Sequence, residues 1–174
     1  YDGQYAPPNK HFHGTIVEAT ECTARDCTLI LGPHDHAKSA FVYKRIVHAL
    51  LTGERHFIGL VSETLDTPRS IVAAISGFLG RNERLRHDYP DLELLADSSE
   101  ELCVRTRDTR QSWVKCFSEW RSPRGRNVDF FQRFDMIIVE DLENHMSPLD
   151  ADAVQRRRRK LAEYQAALAE DGCL

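Results

Sequence analysis

The chain has 174 residues, 41% of them hydrophobic and 29% charged, with a formal net charge of −4. That length supports one domain with a core of its own and falls short of two ordinary domains, and the slight acidic excess excludes a wholly basic nucleic-acid coat while leaving room for a local basic patch. No apolar run approaches the roughly 20 residues that span a bilayer, and the polar start lacks the form of a secretory signal, so the sequence predicts an intracellular, non-membrane protein. Five cysteines (Cys22, Cys27, Cys103, Cys116 and Cys173) are odd in number and show no CxxC spacing, which predicts reduced thiols rather than a disulfide framework or a zinc ribbon.

Residues 1–10 (YDGQYAPPNK) are polar with a Pro-Pro pair and read as the start of an N-terminal arm over residues 1–20. Residues 27–31 (CTLIL) form a short apolar run that stops at Gly32-Pro33, the pattern of a buried strand entering a turn. From 39 to 51, Phe41, Val42, Ile46, Val47, Leu50 and Leu51 recur at helical spacing, and Gly53 follows as a stop. Residues 56–62 (HFIGLVS) predict a second strand, and a helix opened by Pro68 runs through Ile71, Ile75 and Leu79 to Gly80. A weaker strand follows at 92–95, then one or two helices between 99 and 120, a loop at 122–127 and a fourth apolar run at 136–139 (MIIV). Asp150 stands where it can cap a last helix over 151–169. Strands alternating with helices predict an α/β domain over 21–174, with a mostly parallel sheet flanked by helices.

Between the first strand and its helix, Gly32, Pro33, His34, Asp35, His36, Ala37, Lys38 and Ser39 lie in register with the phosphate-loop signature G-x-x-x-x-G-K-[ST], except that Ala37 replaces the second glycine. Together with Ala40 they are the candidate nucleotide-binding segment. Lys38 can reach the β- and γ-phosphates, Ser39 can ligate Mg²⁺, and a helix N-terminus favours the anion. The Cβ of Ala37 works against this chemistry, because it restricts a backbone whose amides must converge on phosphate. Farther on, 134–141 (FDMIIVED) is an apolar strand ending in two carboxylates. Walker B motifs carry an acid there to complete the Mg²⁺ shell, with Glu140 in the place usually held by Asp.

With these motifs in order, the segment 27–146 resembles the RecA, Rad51 and KaiC-like P-loop ATPases, and 134–146 (FDMIIVEDLENHM) is similar to the Walker B region of small, divergent Rad51 paralogues. The resemblance implies a RecA-like core binding Mg-ATP. In it Glu63, at the end of the second strand, is the catalytic glutamate that activates water, Lys38 is its catalytic companion, and Ser39 and Glu140 hold Mg²⁺. It further implies a subunit of weak or lost ATPase activity that assists recombination or DNA repair beside other RecA-like subunits and single-stranded DNA, nuclear in a eukaryote and cytoplasmic otherwise. A complete RecA core continues with more strands after the Walker B strand, so the sequence reads as a fragment or a minimal paralogue.

Two alternatives stay open on the residues: a scaffold subunit that has lost nucleotide, which Ala37 favours, and a KaiC-like signalling ATPase unconnected to DNA. The pairs His34/His36 and His11/His13 lack a third partner at ligand spacing and make a weak metal signal. The basic run 156–160 (RRRRK) and the loop 121–126 can contact phosphates, but the run has acids on either side and reads first as a solvated helix face. Trp113 and Trp120, seven apart, are expected on one face of a helix, in the core.

Overall fold

The computed structural model describes residues 14, 18, 38–106, 111–119, 133–140 and 151–174. Their elements, in chain order, are α1 (Lys38–Thr52), β1 (Phe57–Ser62), α2 (Asp66–Arg81), α3 (Glu83–Asp88), β2 (Glu93–Asp97), β3 (Glu101–Arg105), β4 (Gln111–Ser118), β5 (Phe134–Val139), α4 (Ala151–Ala167) and β6 (Leu168–Cys173). The predicted first strand at 27–31, the loop 122–127, Trp120 and Asp150 lie outside the described residues.

Six strands make one sheet in the order β2-β3-β4-β1-β5-β6. β1 pairs in parallel with β4 and β5, and β5 with β6, whereas β2–β3 and β3–β4 are antiparallel. The mostly parallel α/β sheet predicted from the sequence is thus present, with an antiparallel flank at one edge. β1 is buried along its whole length, as a central parallel strand must be when both faces are covered. Its side chains divide accordingly. Ile58 and Leu60 join Ile46, Ala49 and Leu50 of α1 and Ile71, Val72, Ile75 and Leu79 of α2 in one core cluster. Phe57 and Val61 join Phe117, Ile137 and, from α4, Tyr164 and Ala167 in the other.

Local chemistry sets the element ends. Gly53 adopts φ +69° just past α1, and the Glu54 amide donates to the Ala49 carbonyl at 3.1 Å, the closing bond of a Schellman cap that a glycine accommodates without a Cβ penalty. α2 passes through Gly80 to Arg81, where Asn82 both ends it and caps α3 by accepting from the Leu85 amide at 3.1 Å. Gly59 makes room in the central strand: a Cβ there would lie 3.1 Å from the Phe134 ring, which stacks on Phe57 with centroids 4.1 Å apart.

Two expectations are corrected. Strands β3 and β4, not helices, occupy the stretch between 99 and 120. In β4, Ser112, Val114 and Cys116 are buried while Trp113 and Lys115 between them are only half-buried, a period of two rather than 3.6. Trp113 packs against the second cluster from a strand, with the Lys115 ammonium 5.3 Å from its ring centre. The last helix ends at Ala167 rather than 169, and the chain then adds β6 along β5. A strand therefore follows the helix after β5, where the sequence was expected to stop at that helix. Among the described residues, no helix is long and apolar enough to cross a membrane.

Candidate functional site

β4, β1 and β5 run in parallel side by side, so their carboxyl ends form one edge. Each is followed by a glutamate: Glu119, Glu63 and Glu140. Two of these stay tied to β1 through the backbone, the Glu119 amide donating to the Ser62 carbonyl and the Glu140 amide to that of Val61, both at 2.8 Å. Glu119 and Glu140 are therefore positioned by the sheet itself. Glu119 is buried and Glu63 and Glu140 are half-buried.

Helix α1 meets this edge with its first turn. Lys38 and Ser39 are its first two residues and Ala40, exposed, is the third. The Ser39 hydroxyl donates to Glu140 Oε1 across 101 positions of sequence. One turn on, the Tyr43 hydroxyl donates to Glu140 Oε2 at 3.2 Å. Positions 39 and 43 share a helix face because 3.6 residues complete a turn. The structure thus brings together Ser39 and Glu140, the two residues that sequence motifs name for Mg²⁺, and sets Glu63 on the neighbouring strand end. Gly32, Pro33, His34, Asp35, His36 and Ala37 lie outside the described residues, as do His11 and His13.

A serine hydroxyl and a carboxylate at a helix N-terminus suit a hard cation shared with phosphate oxygens. Mg²⁺ in such sites keeps waters and takes only one or two protein oxygens, and the partial positive charge of the helix end attracts the accompanying anion. Ser39 and Glu140 fit that ion by chemistry: the hydroxyl would be a ligand and the carboxylate would support it. Among the described residues, no group of three or more His, Cys, Asp and Glu is placed to hold a metal.

Other polar groups have structural explanations. Asp135, at the opposite end of β5, accepts from the amides of His56 at 2.5 Å and Phe57 at 3.0 Å; burial pushes its carboxyl up, and these two amides pull against the rise. Burial also pushes the thiols of Cys103 to about 11 and Cys116 to about 12, which keeps both protonated and unreactive. Tyr164 is fully buried, its hydroxyl lacking a hydrogen-bond partner among the described residues; burial, with Glu119 and Glu163 nearby, pushes it to about 12. In the basic run, Arg157 is buried, Arg158 and Arg159 are exposed, and Lys160 pairs with Glu163 at 3.1 Å.

The sequence reading missed Tyr43 and Glu119. The i+4 offset from Ser39 was visible for Tyr43, but its meaning depends on which strand end faces α1. Glu119 was hidden because β4 had been expected to be helical.

No protein-family model matches the sequence, and no curated protein matches it either. Among solved structures, the fold is similar to that of the large terminase ATPase domain of Thermus phage P74-26, with a TM-score of 0.52 and 18% identity over 78% of this chain. The match spans 58% of the terminase domain's length. This likeness carries the fold alone, and it does not single out RecA and Rad51.

Proposed function

We propose that the chain is a nucleotide-binding P-loop module that takes Mg-ATP at the N-terminus of α1. The contact of Ser39 with Glu140 carries this reading. Two residues singled out by separate motifs, far apart in sequence, meet where a phosphate-borne Mg²⁺ needs a hydroxyl and a carboxylate. The similarity to a terminase ATPase domain supports the same reading.

In this reading Lys38 supplies charge to the phosphates, Ser39 and Glu140 hold the cation, and Glu63 orients the attacking water from the adjacent strand end. Mg²⁺ would supply neutralisation of the phosphate charge. With Ala37 in the loop, turnover is weak or lost, and the module serves as a RecA-like subunit assisting recombination or repair beside other subunits and single-stranded DNA. The exposed Arg158 and Arg159 of α4 are the charges available for such a strand.

Titration with a fluorescent ATP analogue and Mg²⁺ tests the core of the proposal. The wild type should saturate, and Ser39→Ala and Glu140→Gln should each weaken Mg²⁺-assisted binding by about tenfold, the loss of one favourable interaction of about 1.4 kcal/mol. Binding equal in all three proteins would remove the site. If the wild type also binds a single strand with an affinity that falls steeply with salt, the DNA role gains its first support.

A further inference from the structure

Glu140 stands where a Walker B strand usually ends in aspartate, and the substitution has a mechanical consequence. Glutamate carries one more methylene and one more rotatable bond, so a single hydrogen bond leaves its carboxylate freer to swing than an aspartate's would be. Ser39 engages only Oε1. The second oxygen is taken by Tyr43, one turn along the same helix face, at 3.2 Å. The Tyr43 ring is half-buried and packs against the core cluster shared by α1, α2 and the sheet, so its hydroxyl sits at the tip of a short, stiff arm with few torsions to restrain.

We propose that Tyr43 is a positioning residue that compensates for glutamate in place of aspartate: it pins the far carboxylate oxygen of Glu140, so that the near one faces Ser39 and the cation. The inference rests on the Mg-nucleotide reading above and names a determinant of its metal affinity. Partners that orient a metal's carboxylate act in this way, and their loss weakens metal binding while the ligands themselves remain. Tyr43 does not touch the nucleotide in this account; it acts through Glu140.

The test is a double-mutant cycle read by binding of a fluorescent ATP analogue as Mg²⁺ is raised, on wild type, Tyr43→Phe, Glu140→Asp and the double variant. Tyr43→Phe keeps the packed ring and removes only the donor, and thermal melts of all four proteins check the fold. The Mg²⁺ midpoint should rise about fivefold in Tyr43→Phe, somewhat below the roughly 10- to 100-fold cost typical of losing a partner that orients a metal ligand, while binding in EDTA stays at the wild-type level. In the Glu140→Asp background, where the shorter carboxylate cannot span both hydroxyls, the same change should leave the midpoint unmoved. A wild-type midpoint in Tyr43→Phe would overturn the proposal, and so would an equal shift in both backgrounds, which would place the effect in packing. Failure of the underlying reading looks different: the wild type binds no analogue, or binds it without regard to Mg²⁺, and the inference falls with it.

Discussion

Strand β5 carries an acid at each end, and the two are held in opposite ways. Asp135, at its start, accepts from two backbone amides at the entrance of β1, those of His56 and Phe57. Glu140, just past its end, accepts from two side-chain hydroxyls on a helix, Ser39 and Tyr43. Backbone amides at a strand entrance have nowhere else to go, so the first acid works as a staple between β5 and β1. Hydroxyls can turn from a carboxylate toward a metal or phosphate oxygen, so in the proposed reading the second acid can exchange partners. The same carboxylate chemistry, at the two ends of one strand, is held by fixed donors in one case and by donors free to turn in the other.

The strongest way to break this comparison is Asp135→Ala. It orphans two amides at once and should cost about 2–4 kcal/mol of stability by urea denaturation, at one to two per unpaired donor. Mg-nucleotide binding by the folded fraction should stay at the wild-type level, and a matching loss of binding would merge the two ends into one unit. The converse at the other end is Glu140→Gln, which should change stability by less than about 1 kcal/mol, as expected for a partly exposed polar group, while weakening Mg²⁺-assisted binding about tenfold.

Tyr164 sharpens the comparison as a third case, a buried hydroxyl with no hydrogen-bond partner among the described residues. Tyr164→Phe removes the desolvation penalty and should raise stability by about 1 kcal/mol, seen as a higher urea midpoint. A loss would mean that the hydroxyl has a partner worth keeping.

The smallest effect is a pH dependence. Burial raises the Asp135 carboxyl above its ordinary 3.8, so the folded protein holds that proton more tightly than the unfolded chain does. The associated stability is fully present below the ordinary value and is lost as pH rises through the higher folded one. The advantage of wild type over Asp135→Asn in urea melts should therefore shrink as pH rises above 3.8. An advantage that grew with pH would reverse the assigned sign.

Much of this architecture was legible in the sequence because central parallel elements announce themselves. β1 and β5 are short apolar runs, and α1 shows its buried stripe at Ile46, Ala49 and Leu50 with Gly53 as its stop. The edge elements were not legible. β6 (LAEDGC) has few apolar residues to mark a strand, and β3 and β4 lie in a stretch whose tryptophan spacing of seven pointed to one face of a helix. Ser39 and Glu140 were legible as motif positions, but their meeting is a property of the fold. The finer resemblance to RecA and Rad51 rested on the order of strands and acids, a coarse pattern, and the fold likeness does not single out that family.

The central claim, a working Mg-nucleotide site at the start of α1, is tested most directly by calorimetric titration of Mg-ATP into the wild type and into Lys38→Ala. Saturable binding in the wild type that is lost with Lys38 is the predicted result. Absence of binding in both proteins, or equal binding in both, would contradict the account.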